Sequence, residues 1–255
     1  SYRMYLGSLS LSVRKYYKTS LLYAYGRTED IPYGGLLTFT AGREINEFKM
    51  RTYLGCNISA GESLSRLGYL YASAGLSSFL NGSATEEGMF LLRSVYFTNL
   101  LYLGDYKMRN FVKADYTRGF DRYTDEYITF TSDGSFTGFR NDTIGGLQRL
   151  SLDLESVLFS PRNFYGFRFA FFASAGVGYL FGYRQPVISG DLLTSIGIGV
   201  RIRNDNLLFN TIQISLNFYP DLPPYSKVNY LYISGEQLLK PDDFDPGPPS
   251  IMLYQ

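Results

Sequence analysis

Charged side chains fall at every second position in several stretches of this sequence. Glu47, Lys49 and Arg51 oppose Phe48, Met50, Leu54, Cys56 and Ile58; Arg149, Ser151, Asp153 and Glu155 oppose Leu150, Leu152 and Leu154. Such rows set cations beside carboxylates on one face, so their chemistry is ion pairing and contact with another chain rather than bond making. The sequence has no His and one Cys, Cys56. The commonest general base and the commonest zinc ligand are therefore missing, and no intrachain disulfide can form. No G-x-S-x-G motif occurs, which removes the serine-hydrolase elbow. The expectation is a non-enzyme with no cofactor and no metal. With 24 Lys+Arg against 23 Asp+Glu, the chain also lacks the basic surface a nucleic-acid partner requires.

The elements that carry these rows are strands. Aromatics reach 17 % through 24 Tyr and 20 Phe, and Gly counts 26, a composition that favours β-structure over helix. In "SLSLSV", Leu9, Leu11 and Val13 oppose Ser8, Ser10 and Ser12. In "SIGIGVRIR", Ile196, Ile198, Val200 and Ile202 oppose Ser195, Gly197, Gly199, Arg201 and Arg203. In "TIQISLNF", Ile212, Ile214, Leu216 and Phe218 oppose Thr211, Gln213, Ser215 and Asn217. Alternation of this kind predicts about twelve strands, over 2–14, 16–27, 33–43, 47–59, 67–80, 88–103, 106–118, 147–159, 166–182, 192–203, 209–219 and 227–235. Several connections are only a few residues long, which implies antiparallel neighbours.

Two all-β architectures fit: a soluble sandwich or barrel, and a transmembrane antiparallel β-barrel. Many of the strands run past the usual five or six residues, their polar faces mix charge with Ser and Gly, and aromatics gather near strand ends in "RKYYKT" and "RNFYGFRF". These features favour the membrane barrel, with its apolar face to lipid and its polar face to a lumen. On this reading Cys56 is a small lipid-facing residue. Lys49, Arg51, Lys107, Arg109, Lys113, Arg149, Arg201 and Arg203 then pair with Glu47, Asp115, Asp153, Glu155 and lumen water, or touch a substrate chain.

One family resemblance rests on ordered motifs. "FTGFRNDTIGG" resembles the long inward-folded loop of the BamA/TamA-type outer-membrane assembly and translocation barrel family (the bacterial surface antigen family), whose core reads V/I-R-G-F/Y. "EDIPYGG", Glu29 to Gly35, is similar to its strand-entry motif. "GLQRLSLDLES" resembles the strand after the loop, and "FFASAG" the F-x-D-x-G strand. The closing order "SIGIGVRIR", "TIQISLNFYP", "VNYLYISG" also matches, so the resemblance runs from about residue 2 to 238.

That resemblance implies a loop over 118–146 folded into the lumen, with Phe136, Thr137, Gly138, Phe139 and Arg140 at its tip. Gly138 lets the backbone approach the wall and Phe139 wedges against it. The facing wall is Asp153, Glu155, Phe172, Ser174 and Gly176. Two departures are coupled: Thr137 stands where the family has Arg, and Ser174 where it has the partner Asp. Losing both avoids an unpaired charge. Arg140 is a substitute cation, with Asp153 or Glu155 as its partner.

The resemblance further implies an outer-membrane protein that helps insert or translocate nascent outer-membrane or secreted proteins. An incoming strand is templated at the seam strand that carries Val228, Tyr230, Tyr232 and Gly235, and Gly235 lets that edge bend. Further partners are outer-membrane lipid and accessory lipoproteins or periplasmic domains. The twelve strands resemble the last twelve of sixteen, with the rest upstream. Two other readings stay open: the membrane anchor of a patatin-like phospholipase whose catalytic domain lies upstream, and a pore or structural barrel. The segment 239–255, with four prolines and three aspartates in "LLKPDDFDPGPPSIMLYQ", cannot pair as a strand. It reads as an irregular tail beyond the barrel.

Overall fold

Period-two alternation becomes one antiparallel sheet. The computed structural model describes residues 3–22, 28–47, 49–123, 127–130, 136, 139–141, 145–182, 191–204, 211–222, 226–234 and 241–252. The strands are β1 (Arg3–Ser20), β2 (Thr28–Ile45), β3 (Met50–Leu64), β4 (Gly68–Asn81), β5 (Ala84–Phe97), β6 (Leu101–Leu103), β7 (Tyr106–Phe120), β8 (Phe139–Arg140), β9 (Gln148–Phe164), β10 (Phe167–Phe181), β11 (Asp191–Asn204), β12 (Ile212–Phe218), β13 (Lys227–Val228) and β14 (Leu231–Ser234). The chain is all-β, and twelve strands form one meander in the order β1-β2-β3-β4-β5-β7-β9-β10-β11-β12-β14, with β6 added on β7. β8 and β13 form a separate two-stranded pair. Among the described residues no ladder joins β1 to β14.

Sequence and structure agree on twelve strands but divide them differently. The expected strands 2–14 and 16–27 are largely one, since the β1–β2 register runs unbroken from Arg3↔Ile45 to Ser20↔Thr28. The interior-facing set changes phase along this pair, from Ser10 and Ser12 to Tyr17 and from Leu36 to Tyr33 and Ile31. Gly34 lies at the phase change, with φ 138°, and a side chain there would run into the Val13 carbonyl. Only glycine fits, and the change of phase is what reads as a strand end in the sequence. The expected strand 88–103 is broken between β5 and β6. Thr98, Asn99 and Leu100 face Arg109 and Asn110 across the ladder, a bulge of one residue. The expected strand 227–235 is split into β13 and β14, which pair with different partners.

The sheet is strongly curved. Five strand spacings separate β1 from β7, about 24 Å in a flat sheet, yet Arg109 Nη2 of β7 donates to Ser20 O at the end of β1 at 3.2 Å. The two faces have opposite characters. On the convex face, register places Leu11, Leu37, Ile58, Ala74, Leu92, Tyr116, Leu150, Tyr179 and Leu192 side by side across nine strands. Leu11 is 70 % exposed and Ile58 54 %. On the concave face Glu44, Arg51, Arg109, Lys113, Asp115, Arg149 and Arg201 are buried. They share that face with an aromatic cluster built on Tyr69, Phe97, Phe111 and Phe172. Apolar side chains point out and charges point in, the reverse of a soluble sheet.

Candidate functional site

Three groups of side chains occupy the concave face: the described part of the 118–146 loop, a set of ion pairs, and the C-terminal segment. The loop is held at its base by Ile128 and Gly146, which exchange backbone hydrogen bonds of 2.8 and 2.9 Å. Arg149, buried on β9, donates to Thr129 O at 2.9 Å. Beyond that base, Phe130, Phe136 and Phe139 are buried with Leu180, Leu193 and Tyr219, and Val228 packs at the margin. The Phe rings meet edge to face, Phe136 and Phe130 with centroids 6.0 Å apart and Phe139 and Phe130 at 6.1 Å. The wall accepts them because β10 lacks side chains where they sit. A Cβ at Gly178 would lie 2.6 Å from Phe136 Cζ and 3.0 Å from Phe130, and one at Gly176 would lie 3.3 Å from Phe136 and 2.9 Å from Asp153 Oδ1.

Phe139 also meets Tyr219, with ring centroids 5.8 Å apart, and burial pushes the Tyr219 phenol up to about 12. The backbone of Phe139 and Arg140 pairs with Val228 and Lys227, and Asn141 Nδ2 donates to Ser226 Oγ at 2.9 Å. The loop tip is thus tied to the segment that leads into β14. Thr137, Gly138 and Gly235 lie outside the described residues. Arg140 is exposed in this bridge. The carboxylate of Glu155, one of its two expected partners, is engaged by Arg201 at 2.6 Å. Arg201 also donates to Gln213 at 2.8 Å and stacks over Phe172 at 4.7 Å. Ser174 and Gly176, with Asp153, Glu155 and Phe172, line a cavity of about 60 Å³ beside this pair. Tyr230 accepts a backbone hydrogen bond from Asn217 at 2.8 Å, and Tyr232 stands opposite Ser215 on β12.

A second cluster sits where β2 turns into β3. Arg51 pairs with Glu44 at 3.0 Å and Glu86 at 3.1 Å, contacts Glu87, and lies over the Phe79 ring at 4.0 Å. Burial alone would lower the Lys49 ammonium, but its hydrogen bonds to Tyr123 and Glu86 outweigh that and hold it above its ordinary value. The sequence pairs the inward cations with Glu47, Asp115, Asp153 and Glu155, and Lys113–Asp115 at 2.9 Å and Arg201–Glu155 are such pairs. Glu44, Glu86 and Glu87 were missed because only the sheet register brings strand ends and a hairpin together.

The C-terminal segment was expected beyond the strands. It lies instead along the concave face. Phe244 is completely buried against Tyr71, ring centroids 5.8 Å apart, and Ser12 Oγ donates to Phe244 O at 2.6 Å. Its Pro content does prevent strand pairing, but the aspartates and Phe244 find partners at positions 12 to 93 that composition alone does not reveal. No family model matches the chain, and no curated protein matches it. Fold and site define an antiparallel β-wall with an apolar convex face and an occupied concave one.

Proposed function

We propose that the chain forms the wall of a transmembrane β-barrel of the outer-membrane assembly type, the BamA/TamA-type family its motifs resemble. The observation that carries this reading is the row of outward apolar residues across nine strands, backed by buried charges on the other face. A soluble monomer rarely exposes an apolar patch beyond a few hundred Å². In lipid each such Leu or Ile gains about 1.5–3 kcal/mol over exposure to water, and the inward ion pairs keep their partners.

The proposed work is noncovalent. A barrel in lipid must satisfy its edge N–H and C=O groups, so an unfilled edge draws in an added strand. β14, which carries Tyr232 and follows Val228 and Tyr230, offers such an edge, and the inward loop is tied to the segment that precedes it through Phe139↔Val228. On this reading the substrates are nascent outer-membrane or secreted β-proteins, these strands are the last twelve of sixteen, and accessory lipoproteins or periplasmic domains assist. The buried Phe130, Phe136, Phe139 and Phe244 fill the interior, which favours assembly over a pore.

The sequence has no Trp, so single Trp probes report cleanly. In vesicles with brominated acyl chains, Leu150→Trp and Ile198→Trp should be quenched and Asn217→Trp should not. Unquenched outward probes would remove the membrane reading. A photo-crosslinker at Tyr232 should capture an inserting β-strand peptide, and quenched probes without capture would leave the anchor or pore reading instead.

A further inference from the structure

The C-terminal segment sits in a site shaped for it. Phe244 enters where β3 carries Gly61, and a Cβ there would stand 2.8 Å from its ring. Met252 enters where β4 carries Gly75, with 2.9 Å to its Cε. Two glycines thus leave space that two strap side chains fill, the first shared with the Tyr69 hydroxyl. Polar anchoring falls at both ends: Tyr71 OH donates to Asp242 at 3.3 Å, Ser12 holds the Phe244 carbonyl, and Met252 N donates to Tyr53 OH at 2.9 Å. The charges are complementary. Arg14 of β1 pairs with Asp243 at 3.2 Å and Asp245 at 3.5 Å, and Arg93 of β5 lies 3.4 Å from Asp242. A cavity of about 240 Å³ remains beside Gly247, Pro248 and Pro249, so the fit is close at the two anchors and loose between them.

Buried aromatic seats, backbone-directed donors and flanking arginines are what an extended peptide groove is made of. We propose that the concave face of β1–β5 is a binding groove for an extended acidic–aromatic peptide of the Asp-Asp-Phe-Asp kind, and that residues 241–252 occupy it in cis as a displaceable strap. The exposed ion pairs each contribute little on their own, but reversing their charge turns attraction into repulsion, and the apolar hold comes from the two seats of Phe244 and Met252. Tethered to β14 by a short connection, it acts at an effective concentration in the millimolar range. A free peptide of similar intrinsic affinity is therefore excluded until the strap is lifted. The groove stands on its own contacts, whether or not the convex face meets lipid.

The probe is a fluorescein-labelled peptide of residues 241–252, PDDFDPGPPSIM, measured by anisotropy against the full chain. Unaltered protein should bind it weakly. Full-length Phe244→Asp, which unseats the strap, should bind at least tenfold more tightly, and adding Arg14→Glu with Arg93→Gln, whose amide still donates to the Asp115 carboxylate that Arg93 holds at 2.8 Å, should return binding to the weak level. Because Phe244 lies among buried aromatics, Asp242→Arg with Asp243→Arg is run in parallel, lifting the strap by charge without emptying a core position. Tighter binding in either variant, lost with the arginine changes, supports the groove. No gain in either variant overturns it, as does a gain that the arginine changes leave untouched.

Discussion

Phe136 of the loop stands on Gly178 of β10, in a position where a Cβ on that glycine would lie 2.6 Å from the ring. The loop's inward path therefore depends on a missing side chain in the wall as much as on the aromatic that fills the space. Phe130 shares the seat and Phe139 closes it against Tyr219. A three-Phe cluster of this kind holds the described residues of the loop against the wall.

Gly178→Val should expel the loop while leaving the wall intact. Losing one seated Phe costs about 2 kcal/mol, roughly thirtyfold in the population of the open loop. Limited proteolysis within 118–146 should accelerate by that order, and Gly7→Ala, where no atom lies within 4 Å of the added Cβ, should change nothing. An unchanged cleavage rate in Gly178→Val would mean that the loop is held at its base, by Arg149 and the Ile128–Gly146 pair.

Glu155 and Arg201 form a buried pair at 2.6 Å, with both side chains about nine-tenths covered. Glu155→Gln keeps an oxygen that can accept from Arg201 but removes the countercharge, leaving the guanidinium buried without a carboxylate partner, at a cost of about 3–5 kcal/mol. The thermal midpoint of the folded wall in detergent should fall by about 10 °C, at the 2–4 °C per kcal/mol expected for this size. The double variant Glu155→Leu with Arg201→Met removes both charges and should recover most of that loss. Equal losses in the single and double variants would show that packing over Phe172, rather than charge, is what the pair supplies.

The strands were legible because alternation is local. Leu150, Leu152 and Leu154 announce their face without reference to any other part of the chain. What stayed hidden depends on partners distant in sequence. The strand end expected after residue 14 is a change of phase within one continuous strand pair, and only the Val13 carbonyl against Gly34 shows it. Gly61, Gly75 and Gly178 read as ordinary small residues, and only the docked Phe244, Met252 and Phe136 show what they make room for. The strap's composition announced correctly that it cannot pair as a strand. Where it goes is set by Ser12, Arg14, Tyr71 and Arg93, between about 150 and 230 positions away.

The bridge between the loop tip and the last strands carries the final prediction. Val228 pairs with Phe139 in β13–β8, and β14 follows after Asn229 and Tyr230. Proline at 228 removes a backbone donor and fixes φ, which a two-residue ladder tolerates poorly. If loop and edge are one mechanical unit, Val228→Pro should raise protease cleavage within 118–146 and, in the same samples, speed amide exchange at Leu231–Ser234. Both changes should appear without loss of the β9–β11 amides, whose ladders of fourteen residue pairs each run well past the patch where Leu180 and Leu193 meet Phe139. A looser loop with unchanged exchange in β14 would uncouple the two. The edge would then open under its own weak four-residue pairing with β12, and the loop would serve only to fill the interior.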